Sequence, residues 1–307
     1  MSFFINNVSK INKYNMWNPV LLFFRNSKHT PRVVRFISSS NYLRNNVQEE
    51  KETHFGFTNV SAHEKSEKVY KVFADVAANY DLMNDAMSFG IHRMWKDIFI
   101  QRLGPTMGTH LLDMAGGTGD ISFRFANYLK SVHNKSVSPL SQVTIADINE
   151  NMLSVGKQRA KDLKLDKLEY CKINWAVANA ENLQFDDDSF SAYTIAFGIR
   201  NVTNIEKALL EAYRVLKPGG RFMCLEFSHL ENKTLQWLYD QYSFQVIPPM
   251  GQILAGSWKP YQYLVESIRK FPNQNEFKYM IEEAGFKMVT YENLSLGICS
   301  IHSGFKL

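Results

Sequence analysis

From residue 54 onward the apolar side chains switch repeatedly between two periods, and the switches predict the elements. Across 64–80, Val69, Val72, Phe73, Val76 and Tyr80 recur three and four residues apart, which predicts an amphipathic helix. Short β-rich runs follow at 110–115, 142–148, 168–173, 191–197 and 221–227, with helical stretches between most of them. The clearest helices are 152–163 and 205–216. Pro218 and the Gly219-Gly220 pair stop the second, because proline lacks an N–H and glycine favours the left-handed turn that ends helices. This alternation predicts an α/β fold with a mostly parallel sheet joined by right-handed crossovers. The last runs, 287–294 and 297–303, lie too close together for a crossover and are expected to pair as an antiparallel hairpin.

Composition narrows the class. Of 307 residues, 45% are apolar and 21% charged, which excludes a wholly disordered chain, a collagen and a disulfide scaffold. No run approaches the length of apolar sequence needed to cross a bilayer. The formal charge of +5 is an N-terminal effect: residues 1–48 hold seven basic and no acidic side chains, and the remainder holds 28 basic and 30 acidic. A nearly neutral body gives no support for a nucleic-acid partner.

The basic leader is rich in Asn, Ser and aromatic residues, the composition of a mitochondrial presequence. Arg35-Phe36-Ile37-Ser38-Ser39-Ser40 resembles the contexts that matrix peptidases cut, so the mature start is expected between 38 and 50. A disordered basic tail is the alternative. Cys171, Cys224 and Cys299 are odd in number and far apart, which suggests neither a disulfide framework nor a metal site. The scattered histidines form no metal cluster.

In parallel sheets ligands bind at the carboxyl ends of strands. The first such end reads Leu111-Leu112-Asp113-Met114-Ala115-Gly116-Gly117-Thr118-Gly119-Asp120, a strand running through glycines into a helix. The next ends at Asp147, where a carboxylate accepts hydrogen bonds from a ribose diol. Two nucleoside cofactors compete for these residues. A dinucleotide requires a third small residue, which falls on Ser122, and its pyrophosphate would approach the negative Asp120. A sulfonium cofactor carries no phosphate to repel, so S-adenosylmethionine fits better. After the third strand, Asn179-Ala180-Glu181 offers a polar side chain and backbone amide for an adenine edge, or is simply a polar loop.

Longer segments carry a family resemblance: YDLMNDAMSFGIHRMW (80–95), RVLKPGGRFMCLEFS (214–228), Phe197-Gly198-Ile199-Arg200-Asn201-Val202 and YQYLVESIRKFP (261–272). The chain from His54 to its C-terminus resembles the ubiquinone/menaquinone biosynthesis C-methyltransferases. The resemblance implies a class I S-adenosylmethionine-dependent methyltransferase (Rossmann-like) domain over 54–307, with N-terminal helices, after a leader at 1–48. It implies methylation of a ring carbon on a polyprenylated benzoquinol in ubiquinone biosynthesis. It places the enzyme peripherally on the matrix side of the mitochondrial inner membrane, with other biosynthetic proteins in a multi-subunit complex; a homodimer is left open. Carried over, the cofactor residues are Thr118 with Asp113, Gly116, Gly117 and Gly119, then Asp147 on the ribose and Asn179 with Ala180 near adenine. Ala196 and Asn179 depart from the Ser and Asp of some relatives, which makes adenine contacts there less secure.

An aromatic carbon attacks a methyl group only when a ring hydroxyl ionises, and phenols ionise near pH 10. A fixed cation lowers that barrier. Arg200, beside Asn201 after the fourth strand, is the leading catalytic candidate, as phenolate stabiliser facing both cofactor and substrate. Its alternative role is a structural ion pair with Glu226 or Asp113. Tyr80, Asp81, Asn84, His92 and Trp95 are candidates for the mouth of the site, His92 either as a base or in packing. Segment 242–256, with Pro248-Pro249 and two glycines, is read as a mobile lid over the polyprenyl tail or as a buried connector. An oxidoreductase using a dinucleotide and a catalytically idle scaffold are the competing functions.

Overall fold

In the computed structural model, residues 52–76, 80–132 and 139–307 are described, without the side chains of 75, 76 and 80–82. The expected leader, 1–48, lies outside them. Seven strands form one sheet because their apolar residues alternate sides. β3 (His110–Met114) sends Leu111 to one core and Leu112 to the other, and β4 (Ser141–Asp147) divides Ile145 from Ala146 likewise. β5 (Cys171–Val177), β6 (Phe190–Ala196), β7 (Leu216–Phe227), β8 (Lys287–Leu294) and β9 (Cys299–Phe305) complete the order β5-β4-β3-β6-β7-β9-β8. The first five run parallel, and β9 is antiparallel to both of its neighbours. The expected fold class and C-terminal hairpin are both present.

The chain runs outward from β3 through β4 to β5, then returns to the other side of β3 as β6. This reversal opens a crevice at the strand ends. α4 (Asp120–Val132), α5 (Glu150–Asp162) and α6 (Ile205–Val215) make the crossovers. The last ends one residue before its expected limit, because Lys217 precedes Pro218 and is held out of helical geometry.

Ahead of the sheet come β1 (Glu52–Phe55), β2 (Thr58–Ser61), α1 (Ala62–Val76), α2 (Tyr80–Ser88) and α3 (Ile91–Leu103). Between β7 and β8 lie α7 (Lys233–Gln245), α8 (Ile247–Ala255), α9 (Lys259–Lys270) and α10 (Gln274–Glu283). The small β1-β2 hairpin is pinned to α9: Phe55 stacks on Tyr263 with ring centres 4.1 Å apart, and Phe57 N–H donates to Glu266 Oε2 at 3.1 Å.

Several boundaries change: β7 begins at Leu216 rather than 221, and β9 runs Cys299–Phe305 rather than 297–303. β5 begins at Cys171 rather than 168 and runs four residues further, because it is the sheet edge and its exposed Lys172 and Val177 hide it from an apolar-run reading. Segment 242–256, expected as a lid or a connector, is the end of α7 followed by α8. Its prolines fall in the first turn of α8, where a missing N–H costs nothing.

Candidate active site

Two cavities open at the crevice. The first, about 320 Å³, lies over the ends of β3, β4, β5 and β6 under a roof of α1. The second, about 290 Å³, lies between α2, α3, α8 and α9 beside the end of β7. Phe73, Lys96 and Phe197 line both.

The glycine loop owes its shape to crowding. Gly119 has φ +86°, and a side-chain carbon on it would sit 2.7 Å from the Phe123 ring. Ala115 and Phe197, the residues after β3 and β6, hold φ of 54° and 56°, a strained conformation for side chains with a Cβ. Both strained residues line the first cavity, where such strain is characteristic of functional sites.

Each polar group expected around the cofactor is tied into the fold. Asp147 accepts from Gly117 N–H at 3.0 Å on one carboxylate oxygen and from Asn149 N–H at 2.8 Å on the other. Burial raises its pKa, against the lowering effect of these backbone donors. Asp113 is fully buried and accepts from Ser122 Oγ at 2.6 Å and Thr194 Oγ1 at 2.9 Å; burial pushes its pKa up to about 6. Thr118 Oγ1 accepts from Arg159 at 2.7 Å, and Asn179 Oδ1 accepts from the Glu181 N–H at 2.9 Å. Ala180 is buried beside them, and Gly116 and Gly117 line the same cavity. All eight expected cofactor residues are therefore near this cavity, and all but Gly119 are in its lining.

Asp120 opens α4 at the cavity wall. Burial opposes its ionisation, but Lys96 at 2.7 Å and Arg124 hold its carboxyl below the ordinary range. The carboxylate is thus ionised and is neutralised by these two cations.

Arg200 and Asn201 separate. They sit on the short 3₁₀ turn Ile199–Asn201, in which successive side chains point about 120° apart. Arg200 lines only the second cavity and Asn201 only the first, so neither faces both, as had been expected of Arg200. The Arg200 guanidinium is buried, 2.8 Å from Glu226 Oε1, donates to Phe197 O at 2.6 Å and lies over the Phe227 ring. The ion pair with Glu226 is present. Burial raises the Glu226 pKa, and Arg200 works against that rise. Asn201 Oδ1 accepts from Tyr263 Oη at 2.9 Å.

Asn84, His92 and Trp95 line the second cavity as expected; the Tyr80 and Asp81 side chains lie outside the described ones. Trp95 Nε1–H donates to Ser295 Oγ at 2.9 Å, which fixes the indole against Phe227. Sequence reading quoted Glu181 in its strand-end motif but gave it no role of its own; its Oε1 accepts from Thr203 and Asn204 N–H and ties the β5 loop to the β6 loop. It also missed Lys96 at the junction and Asn149, whose cap on α5 places Met152 in the wall. The Asn149 signal was present in the sequence, as an Asn opening an amphipathic run. Among the described residues no group of His, Cys, Asp or Glu is placed to hold a metal, and no helix is long and apolar enough to cross a membrane.

A mostly parallel seven-stranded sheet closed by an antiparallel hairpin, with two cavities at its strand ends, is the architecture of an α/β methyltransferase. The chain belongs to the ubiE/COQ5 methyltransferase family, whose profile matches residues 61–306. It is 66% identical over 260 residues to the mitochondrial 2-methoxy-6-polyprenyl-1,4-benzoquinol methylase of Drosophila melanogaster, covering 84% of this chain and 86% of that one. It is 55% identical over 281 residues to the Homo sapiens protein of the same name, covering 83% and 85%. Among solved structures, a methyltransferase from Thermotoga maritima described as a possible histamine N-methyltransferase aligns with TM-score 0.51 at 19% identity, over 78% of this chain and 100% of that one. That likeness concerns the fold.

Proposed function

We propose that this chain methylates a ring carbon of 2-methoxy-6-polyprenyl-1,4-benzoquinol in ubiquinone biosynthesis, with S-adenosylmethionine as donor. The observation that carries the reading is the meeting of two unlike cavities at Phe73, Lys96 and Phe197. One is built for a nucleoside and the other for an apolar ring. When bound, S-adenosylmethionine supplies an electrophilic methyl group and leaves as a neutral thioether.

The chain's own residues do the rest. Each Asp147 oxygen spends one lone pair on a backbone N–H and keeps capacity for a ribose hydroxyl. Asn179 and Ala180 stand at the adenine edge, with Ile148 and Met152 as apolar walls. Arg200 acts on the ring. Its charge is largely compensated by Glu226, so it favours the phenolate by donating a charge-assisted hydrogen bond in a dry pocket, not as a free cation. Tyr263 holds Asn201 in the wall of the first cavity.

The test is transfer of labelled methyl to a short-chain demethylated quinol. Methyl on the ring carbon of the reduced substrate, with the oxidised quinone inert, is the expected result; no incorporation overturns the reading. Calorimetry is expected to find S-adenosylhomocysteine bound and NADH unbound.

The relatives are named mitochondrial. The finer location follows as part of the proposal: 1–48 is an import leader, 54–307 the catalytic domain, and the enzyme sits peripherally on the matrix face of the inner membrane with other ubiquinone-biosynthesis proteins, either as a homodimer or singly. Carbonate extraction from isolated mitochondria checks this, releasing a peripheral protein and retaining a spanning one.

A further inference from the structure

The charged side chains lining the first cavity are Asp113, Asp120, Asp147, Glu181 and Lys96, so Lys96 is the only cation there among the described residues. Three of the acids have other work. Asp113 is fully buried on Ser122 and Thr194, Glu181 holds the Thr203 and Asn204 amides, and Asp147 is the carboxylate assigned to the ribose. That leaves Asp120 and Lys96, paired at 2.7 Å.

The pair keeps bonding capacity. Asp120 Oδ2 accepts from Lys96 Nζ, whereas Oδ1 accepts no hydrogen bond among the described residues: Arg124 Nε stands off at 3.4 Å, and its Nη1 is drawn to Asp97. The Asp120 side chain is 27% exposed, so this carboxylate is reachable from the cavity it lines. Lys96 Nζ spends one of its three donors on Asp120. Because Asp120 lines only the first cavity, the Nζ held against it lies on that side, and the methylene stem of Lys96 supplies its share of the second cavity's wall.

Adjacent opposite charges with spare valences match a ligand end that also carries adjacent opposite charges, such as an α-amino acid. Position agrees with charge. Asp147 Oδ2 accepts from Gly117 N–H, and Asp120 follows Gly117 by three residues, which reach at most about 11 Å. A ribose bearing a short thioether chain spans an interval of that order.

We propose that Asp120 and Lys96 clamp the α-amino acid end of S-adenosylmethionine, Asp120 accepting from its ammonium and Lys96 donating to its carboxylate. The proposal rests on the donor and is independent of which quinol is methylated. It also has a consequence for aim. Sulfur lies between the ribose and the amino acid, so Asp147 and the clamp restrain it from both sides, and Lys96 stands at the partition that the methyl group must cross. Lys96 and Arg124 balance Asp97 and Asp120, and a zwitterion adds no net charge to the site.

Calorimetry with a ligand series tests the clamp. S-adenosylhomocysteine carries both charges and methylthioadenosine neither; decarboxylated S-adenosylhomocysteine keeps only the ammonium, and its deaminated counterpart only the carboxylate. Lys96→Met is expected to weaken S-adenosylhomocysteine and the carboxylate-only analogue about 10- to 100-fold, and Asp120→Asn to weaken S-adenosylhomocysteine and the ammonium-only analogue as much. Methylthioadenosine is expected to stay within about twofold of its wild-type affinity in both variants. A side chain that merely shapes the nucleoside wall would weaken methylthioadenosine equally, and that result overturns the proposal. Affinity for S-adenosylhomocysteine within about twofold of wild type in either variant does so too.

Should the variants melt early, wild type decides alone. Each single-charge analogue is expected to bind about 10-fold or more weakly than S-adenosylhomocysteine, and equal affinities for S-adenosylhomocysteine and methylthioadenosine sink the clamp. Wild type that binds neither ligand removes the donor and the clamp together. Wild type that binds S-adenosylhomocysteine as expected but methylates no quinol removes only the quinol, and variants that bind it as wild type does remove only the clamp.

Discussion

The two cavities share one end of one sheet and differ in how their polar atoms are used. Around the first, Asp113, Thr118, Asp147 and Asn179 are each already bonded within the fold, so the wall is rigid and meets a ligand only with spare lone pairs. Around the second, the wall is largely aromatic, and three of its polar residues, His92, Arg200 and Tyr261, each bury one atom without a partner. A cavity that must only recognise can spend its hydrogen bonds on its own shape. Unpaired buried atoms cost stability, so the second wall is the less settled of the two.

The sharpest way to break this contrast is Arg200. Arg200→Ala is expected to lower kcat by about 10³-fold or more while S-adenosylhomocysteine affinity, read by calorimetry, changes little. The variant also strands Glu226 as a buried charge, at about 3–5 kcal/mol. The double variant Arg200→Ala/Glu226→Ala is expected to recover melting temperature but no turnover. Recovery of turnover would make the pair structural only.

Next in size is a pH effect confined to the first cavity. The Asp113 carboxyl is raised from 3.8 to about 6 by burial, so unfolding releases a proton between those values. Its contribution is most favourable below about pH 4, where both states are protonated, and falls by about 3 kcal/mol as pH climbs through 6. Urea titrations should show that slope in wild type and not in Asp113→Asn. Asp147→Ala follows: loss of charged hydrogen bonds worth about 1.5–3 kcal/mol should weaken S-adenosylhomocysteine binding about 10- to 100-fold and leave quinol KM nearly unchanged. The smallest change is Tyr263→Phe, which frees Asn201 Oδ1 in the wall of the first cavity and should weaken S-adenosylhomocysteine binding several-fold, for about 1 kcal/mol.

The sheet was legible because its strands are short apolar runs separated by amphipathic helices, a local signal. β5 was displaced because an edge strand with Lys172 and Asn174 does not read as apolar. The β1-β2 hairpin escaped notice because four-residue strands carry little periodicity and this pair depends on Tyr263 and Glu266, some two hundred residues away. In the site, Asp113, Asp147 and the glycines could be found from their position just after strands. Lys96 and Glu181 could not, since their importance comes from Asp120 and from the Thr203 and Asn204 amides, groups brought near only by folding. Arg200 could be picked out from its place after a strand, but its separation from Asn201 into different cavities needed the 3₁₀ turn.

The stack of Phe55 on Tyr263 ties the far end of the chain to the strand-end crevice. Tyr263 holds Asn201, so β1 reaches the lining of the first cavity through one aromatic ring and one hydroxyl. Removal of β1 is expected to take away that stack and loosen Asn201 while leaving the seven-stranded sheet untouched.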